Sequence, residues 1–239
     1  MRVLAVDTSS NVAAAAVMED DLLLGEYILN HKKTHSQKLM VMIEQLLGDL
    51  DLTVRDIDIF AAAVGPGSFT GLRIGVATVK ALAHAAGKRV VSVGTLEALA
   101  YNVPYAEHII VPIMDARRDN VFTASYIWDG EFKEIGAPEA VTIRECVESC
   151  GNFLDTIFVG DGVKVHRDYI NERLGERAIF PHGAALNSRA SSVAAIALDR
   201  AKKGETQSYS EMKPYYIRKS QAERELEEKR SKANDSNRK

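Results

Sequence analysis

The chain has 239 residues, of which 46% are apolar and 26% charged, enough apolar material for one large domain or two lobes without help from disulfides or metals. Its net charge of −3 and isoelectric point near 6.1 argue against a primary nucleic-acid-binding protein, which needs a basic excess to neutralise phosphates. The first residues turn polar too soon for a signal peptide, and no apolar run reaches the roughly 20 residues that span a bilayer, so we expect a cytoplasmic protein without membrane contact.

The first hundred residues predict three strands and then alternating helices and strands. Apolar segments 2–7, 12–18 and 22–30 have the length of strands, with a hairpin tip at Asp20. Ser36 begins a helix with an apolar stripe at helical spacing. The elements that follow are a strand at 57–64, a helix at 70–86, a strand at 89–93 and a short helix at 96–100. Three early strands before alternating units favour an α/β fold with a mixed sheet flanked by helices.

The second half repeats this order, which predicts two similar lobes. We place the first lobe at 1–103 and the second at 104–218, since residues 101–107 are typical of a domain junction. Charged residues dominate 219–239, so this segment is predicted to be a flexible tail. The predicted elements of the second half are strands at 109–115, 121–128, 131–135 and 156–160, and helices at 142–150, 163–172 and 189–203.

A glycine-rich turn joins the fourth predicted strand to the helix after it. Gly65, Gly67 and Ser68 lie where a strand-to-helix turn can hold a phosphate on free backbone amides. The spacing matches neither a dinucleotide-binding turn nor a P-loop, so a phosphate site and a plain turn remain alternatives. Inside the helix, Gly71 and Gly75 share a face. That face predicts close packing, either on the protein's own sheet or on a helix of a partner.

Three further turns carry polar side chains. Asp7 and Ser9 end the first strand, where they either cap a turn or face nucleotide phosphates, as in actin-like ATPases. The paired arginines in segment 115–119 either clamp an anion or lie in a solvated hairpin turn. Segment 160–162 is a turn after a buried strand, and it too either binds an anion or is a plain solvated turn. With the glycine turn, Asp7 and Ser9 are candidates for a vestigial nucleotide loop.

Histidines and cysteines are the candidate metal ligands. His31 and His35 are four residues apart, but the predicted helix begins after both, so they do not share a helix face. Cys146 and Cys150 have a spacing that gives two reduced thiols more readily than a disulfide. The sequence contains no serine nucleophile elbow, catalytic-cysteine signature or paired-cysteine zinc motif. We therefore expect neither a metal nor a cofactor.

Six segments together resemble the TsaB family, formerly called YeaZ. The longest, VGPGSFTGLRIG, is specific by its length, whereas the other five are weaker when taken singly. They follow the family's order and span most of the chain, at 4–9, 34–36, 64–75, 96–100, 115–118 and 214–218. The resemblance implies a two-lobed actin/Hsp70-like ATPase (ASKHA) fold with mixed sheets flanked by helices, which agrees with the duplicated pattern.

The resemblance also bears on catalysis, because the family's catalytic relative is the transferase TsaD, once labelled a glycoprotease. In TsaD a similar turn and helix lead to a metal-binding His-x-Glu-Gly-His. Thr95, Glu97 and Leu99 occupy the corresponding positions here, and neither a hydroxyl nor an alkyl chain replaces an imidazole ligand. The resemblance thus implies an inactive paralogue of the transferase. The alternative is an ATP-binding phosphotransferase or ATPase of this fold with Asp7 as its catalytic carboxylate.

The resemblance implies a set of partners as well. The chain is expected to bind TsaD, with the small ATPase TsaE, in forming the threonylcarbamoyl group on tRNA adenosine 37 (t6A), while its own tRNA contact is indirect or minor. Family members pair with TsaD through the first two helices, here about 36–49 and 70–86, and the same surface is expected to form a homodimer when TsaD is absent. The expected interface residues are Leu39, Met40, Ile43, Leu47, Gly71, Leu72, Gly75, Val76, Val79 and Lys80.

Overall fold

The computed structural model describes residues 1–30, 35–151 and 155–218, so that His31 and the predicted tail at 219–239 lie outside the described residues. Each half begins with three consecutive strands and continues with alternating helices and strands. The first half contains β1 (Arg2–Asp7), β2 (Val12–Glu19), β3 (Leu22–Asn30), α1 (His35–Asp49), β4 (Ile59–Gly65), α2 (Phe69–Ala86), β5 (Arg89–Gly94) and α3 (Thr95–Ala100). The second half contains β6 (Ile109–Asp115), β7 (Asn120–Asp129), β8 (Glu131–Thr142), α4 (Ile143–Cys150), β9 (Thr156–Val159), α5 (Gly162–Leu174), β10 (Ala178–Ile179) and α6 (Ala190–Lys202).

The first sheet has the strand order β3-β2-β1-β4-β5. β1 pairs antiparallel with β2 and parallel with β4, so this sheet is mixed, as the sequence predicts. All of β4 and nearly all of β1 and β2 are buried, because helices cover both faces. α1 and α2 pack on one face, around Phe60, and α6 packs on the other, around Ala61.

The second sheet repeats the arrangement with the order β10-β9-β6-β7-β8. Its central strand β6 again has an antiparallel neighbour, β7, and a parallel neighbour, β9. The prediction of two similar lobes is therefore confirmed. β8 is longer than the predicted 131–135, because its bulged pairing with β7 continues past Gly136. α4 and α5 cover this sheet, and Cys146 and Cys150 on α4 are buried free thiols.

The position of α6 corrects the predicted division at residue 103. The sequence places 189–203 in the second lobe, but α6 packs on the first sheet against β1, β2, β4 and β5. Its buried face includes Val193, Ala194 and Ala197, which contact Val3 and Ala5 of β1 within one apolar cluster. An amphipathic pattern shows that a helix covers a sheet but not which sheet, so the sequence could not assign α6.

The segment that follows α6 also belongs to the first lobe. We call residues 205–218 the strap. Gln207 exchanges two backbone hydrogen bonds with Val90 of β5, at 3.0 and 2.9 Å. Met212 is 1% exposed and lies in the core between α2 and the first sheet. The strap thus extends the first lobe from its edge strand towards the end of β4.

The chain crosses between the sheets at α3, which contacts both β4 and β6. Tyr101, directly after α3, packs its ring 5.2 Å from the rings of Trp128 and Phe132 on the β7–β8 hairpin. This apolar contact joins the lobes on one side, and a cleft separates them on the other. No helix in the described ranges is long and apolar enough to cross a membrane.

Candidate functional site

The cleft between the lobes encloses about 380 Å³. An adjoining pocket of about 450 Å³ shares Ser10, Asn11 and Asp161 with it. The structure brings together here four turns that the sequence singles out, namely those at residues 7–10, 65–68, 115–119 and 160–162. Polar side chains from both lobes line this cavity, notably Ser9, Ser68, Asp115, Arg117 and Arg218.

Asp7 lies beneath the cleft and is 0% exposed. Its Oδ1 atom accepts hydrogen bonds from Ser9, from the backbone N–H at 2.8 Å and from the hydroxyl at 2.6 Å. Its Oδ2 atom has no hydrogen-bond partner among the described residues. Burial raises the pKa of Asp7, and the Ser9 hydrogen bonds only partly oppose this. Asp7 therefore closes a turn within the first lobe and does not line the cleft.

The glycine turn packs tightly on the turn that ends β1. A side chain at Gly67 would collide with the Ser9 carbonyl oxygen, and the Ser68 N–H donates to that same oxygen at 2.7 Å. The Ser68 hydroxyl accepts a hydrogen bond from the Gly71 N–H at 3.3 Å and caps α2. A side chain at Gly65 would collide with the Tyr215 carbonyl oxygen of the strap. Two amides that a phosphate would use are thus engaged within the protein.

Gly71 and Gly75 bring α2 against the end of β1. A side chain at Gly71 would collide with the Thr8 carbonyl oxygen, and one at Gly75 would lie against the Thr8 hydroxyl. That hydroxyl donates to the Gly71 carbonyl at 2.7 Å. Of the two alternatives for this glycine face, the structure shows packing on the protein's own sheet. The assignment of these two glycines to a partner interface is wrong, because both are buried against β1.

The arginine turn between β6 and β7 has an unusual backbone. Arg117, Arg118 and Asp119 have φ values of 64°, 53° and 57°. These values lie in the left-handed region, which residues other than glycine rarely adopt. The Asn120 amide holds the turn by donating to the carbonyls of Arg117 and Arg118 at 3.2 and 2.7 Å. The Asp115 carboxylate accepts from the Arg117 N–H at 2.8 Å. The sequence predicts the turn, but the roles of Asn120 and the left-handed run were missed.

Asp161 lies across the cleft from the first lobe, at the start of α5. Its Oδ1 atom accepts from the Asp115 N–H at 3.2 Å, and burial raises its pKa. Gly160 precedes it with φ 101°, where a side chain would collide with the Ile113 carbonyl. The 160–162 turn therefore needs glycine for a close approach to β6, and it holds a carboxyl group against the arginine turn.

The segment corresponding to a transferase metal motif lies in the interior. Thr95 is 0% exposed and Leu99 is 1% exposed. Glu97 forms an ion pair with Arg200 of α6 at 2.7 Å and accepts from the Gly94 N–H at 3.3 Å. His35 lies elsewhere, with its Nε2 atom 2.8 Å from the Ser10 carbonyl oxygen. Among the described residues, no group of three or more His, Cys, Asp or Glu side chains is placed to hold a metal ion.

Most of the expected interface residues face the protein's own core. Met40 is 48% exposed, and Lys80 is half-buried because it donates to the strap carbonyls of Ser210 and Met212 at 3.2 and 3.1 Å. The other apolar members are at most 5% exposed, so they pack α1 and α2 on the first sheet: Leu39, Ile43, Leu47, Leu72, Val76 and Val79. The sequence prediction placed the partner interface on the apolar stripe of each helix. On a helix that covers a sheet, this stripe is the face that packs on the sheet. For these six residues the interface assignment is therefore wrong.

Two related mixed sheets, each covered by helices and facing a common cleft, define a protein of the two-lobed actin/Hsp70-like ATPase (ASKHA) fold. Component A of (R)-2-hydroxyglutaryl-CoA dehydratase from Acidaminococcus fermentans shares the fold, with a TM-score of 0.56 at 10% identity over 84% of this chain and 99% of that one. At this identity the likeness shows the fold alone.

Closer relatives identify the family. The model of the TsaD family, tRNA N6-adenosine threonylcarbamoyltransferase, matches residues 23–226. The tRNA threonylcarbamoyladenosine biosynthesis protein TsaB of Bacillus subtilis (strain 168) is 32% identical over 225 residues, covering 93% of this chain and 96% of that one. TsaB of Escherichia coli (strain K12) is 28% identical over 237 residues, covering 95% and 98%. YeaZ from Pseudomonas aeruginosa superposes with a TM-score of 0.76 at 25% identity, covering 90% and 99%. This chain belongs to the TsaB (YeaZ) family.

Proposed function

We propose that this chain is a non-catalytic scaffold and activator subunit in forming the threonylcarbamoyl group on tRNA adenosine 37 (t6A). It binds a TsaD-like transferase, and a TsaE-like ATPase joins the pair. The names of the relatives and the match to the TsaD family support the pathway. In the absence of the transferase, the same surface pairs two copies of this chain.

The burial of Thr95 and Leu99 is the observation that carries the non-catalytic part of this proposal. Both stand where the resemblance to TsaD would require metal-binding histidines, and neither is more than 1% exposed. Glu97, between them, is held by Arg200 at 2.7 Å and faces another helix of the first lobe. A metal bound here would need ligands that this segment neither contains nor directs into the cleft.

The outer faces of α1 and α2 support a protein partner. Met40 and Val41 are 48% and 52% exposed on α1, outside the stripe that packs on the sheet. The adjacent α2 presents the exposed small residues Ala77 and Ala81, which allow a partner helix to approach closely. Exposed apolar side chains on two neighbouring helices are typical of an interaction surface. We assign the partner interface to this outer face, in place of the buried stripe.

Reconstitution tests the proposed function. The transferase, the TsaE-like ATPase and a TsaC-type enzyme that makes the threonylcarbamoyl-adenylate donor are incubated with tRNA and ATP, with and without this chain. We expect t6A, measured by mass spectrometry of digested tRNA, to fall at least tenfold when this chain is left out. We also expect none when this chain replaces the transferase. Full modification without the chain would refute the proposal.

A matched pair of valine substitutions tests the docking face. Val41→Glu places a charge on the exposed outer face of α1, whereas Val165→Glu places one on α5 of the second lobe, where Val165 is 59% exposed. We expect Val41→Glu to weaken binding to the transferase at least tenfold in calorimetry, because a charge buried in the interface lacks a partner. Val165→Glu should bind like the unmodified chain. Equal affinity for both variants would place the interface elsewhere and leave the proposed pathway untouched.

A further inference from the structure

The strap is bonded along the length of α2 and ends at the cleft. Lys80 of α2 donates to the carbonyls of Ser210 and Met212 at 3.2 and 3.1 Å. Together with the Gln207–Val90 pairing and the buried Met212 side chain, these bonds fix the first part of the strap on the first lobe.

The next part of the strap covers the glycine turn. The Tyr215 N–H donates to the Val64 carbonyl at 2.7 Å, and Gly65 leaves no space between the turn and the strap. The Tyr216 ring stacks on Phe69 at the start of α2, with centroids 4.3 Å apart and planes 12° from parallel. Tyr216 is therefore an anchor, and an aromatic stack of this geometry stabilises the contact beyond the area it buries.

The last described residue of the strap reaches the other lobe. The Arg218 guanidinium donates to the Asn120 Oδ1 atom at 2.8 Å. Asn120 begins β7 in the second lobe, and its amide nitrogen holds the left-handed arginine turn through the carbonyls of Arg117 and Arg118. Arg218 lines the cleft that this bond crosses. One hydrogen bond thus connects the anchored strap to the strained turn.

The two sides of the molecule are joined by different kinds of contact. On the α3 side, apolar packing and the rings of Tyr101, Trp128 and Phe132 join the lobes. Such packing is hard to separate without exposing apolar surface to water. On the cleft side, the Arg218–Asn120 bond is polar and part-buried, and the free energy of a hydrogen bond from a charged guanidinium corresponds to roughly a 10- to 100-fold change in an equilibrium. The α3 side is suited to act as a hinge, and the Arg218–Asn120 bond is suited to act as a releasable contact across the cleft.

We propose that the strap is a latch that holds the two lobes closed over the cleft, with Tyr216 as its anchor and Arg218 as its releasable end. Breaking the bond between Arg218 and Asn120 lets the lobes separate about the α3 hinge, and it also frees the Asn120 side chain that supports the arginine turn. The latch lies in the isolated chain and does not depend on the proposed partner.

Distance measurements across the cleft test the latch. Spin labels are attached at Asp21→Cys in the β2–β3 turn and Lys164→Cys on α5, two exposed positions on opposite lobes, in a chain with Cys146→Ala and Cys150→Ala. The labelled chain is mixed with an excess of unlabelled chain, so that distances within one copy are measured. Arg218→Ala is expected to lengthen and broaden the distance distribution from double electron–electron resonance. Tyr216→Ala should have the same effect, because it removes the anchor at the other end.

Arg177→Ala is the matched control, since its guanidinium also donates one hydrogen bond to an oxygen, at 3.3 Å to the Gly151 carbonyl, but within the second lobe. It should leave the distribution unchanged. Amide hydrogen exchange at residues 115–121 should accelerate several-fold in Arg218→Ala but not in Arg177→Ala. An Arg218→Ala distribution identical to that of Arg177→Ala would overturn the proposal. Exchange that accelerates evenly over both sheets would overturn it as well, because it would mean general destabilisation.

Discussion

Asp7 and Thr95 are two buried polar residues in the interior of the first lobe. The Asp7 Oδ2 and Thr95 Oγ1 atoms have no hydrogen-bond partner among the described residues. An unpaired buried polar atom destabilises a fold by about 1–3 kcal/mol, so both positions work against stability. Neither side chain is exposed to the cleft.

Asp7→Asn should stabilise the protein increasingly as pH rises. Burial raises the folded-state pKa of Asp7 above its ordinary value, so the folded state holds the proton more tightly than the unfolded state. The stability that this proton contributes is fully present below the unfolded pKa near 3.8 and is lost as pH rises through the folded pKa. An asparagine has no such proton to lose, while its side-chain oxygen can still accept from Ser9. Each difference of one in pKa corresponds to about 1.4 kcal/mol.

Urea unfolding at several pH values between about pH 4 and pH 8 measures this effect. The quantity compared at each pH is the free energy of unfolding of the variant minus that of the unmodified chain. We expect this difference to increase with pH for Asp7→Asn. Asp168→Asn is the control, since it removes an exposed carboxylate on α5 instead of a buried one. A flat profile for Asp7→Asn would show that the Asp7 carboxyl ionises as easily in the folded chain as in the unfolded one.

At the scale of elements, α6 is held in place by the edge strand β3. Glu26 of β3 has a side chain only 6% exposed and accepts from Arg189 at 2.6 and 3.2 Å. Its other oxygen accepts from the Ser191 N–H at 2.9 Å and the Ser191 hydroxyl at 2.8 Å. A carboxylate at the first turn of a helix also interacts favourably with the helix dipole. One side chain therefore caps α6 and fixes its first turn on the far strand of the first sheet.

Glu26→Ala should lower the free energy of unfolding by about 2 kcal/mol, since it removes a cap and leaves a partly buried arginine without its partner. Glu26→Gln should lose less, because its amide oxygen can still accept from Ser191. Glu44→Ala, an exposed change on α1, is the control and should stay within about 0.5 kcal/mol of the unmodified chain. Equal losses for Glu26→Ala and Glu44→Ala in urea unfolding would contradict the capping role.

The elements themselves could be predicted from sequence, but not all of their contacts. Strand-length apolar runs and helical stripes gave the order of strands and helices, because burial imposes those periods directly. An apolar stripe on a helix does not show whether it packs on the protein's own sheet or on a partner. Leu72 and Val79 were therefore assigned to a partner interface although they pack on the first sheet. The strap has no periodic sequence pattern, because its contacts depend on isolated side chains such as Met212 in the core and Tyr216 on Phe69. The left-handed run at Arg117 depends on Asn120, and no local propensity favours it.

At the scale of the whole molecule, the first lobe is completed by residues 190–218, which follow the second lobe in the chain. α6 covers one face of the first sheet, and the strap supplies Met212 to the core on the other face. The second lobe is therefore inserted between α3 and α6. Contacts this distant in sequence make the first lobe depend on segments that follow the second lobe in the chain, which slows folding relative to a lobe built from local contacts.

Residues 1–103 expressed alone should therefore fail to fold. Without α6, the sheet would expose the face that carries Val3, Ala5 and Ala61, all of which are 0% exposed in the full chain. An exposed apolar sheet face of this kind favours aggregation. We expect the fragment to be insoluble, or to give collapsed amide resonances in heteronuclear NMR. The control joins 1–103 through a glycine–serine linker to residues 188–218, which restores α6 and the strap, and this version should give dispersed resonances and a cooperative thermal transition. If the bare fragment folds cooperatively, α6 is an accessory to the first lobe rather than part of its core.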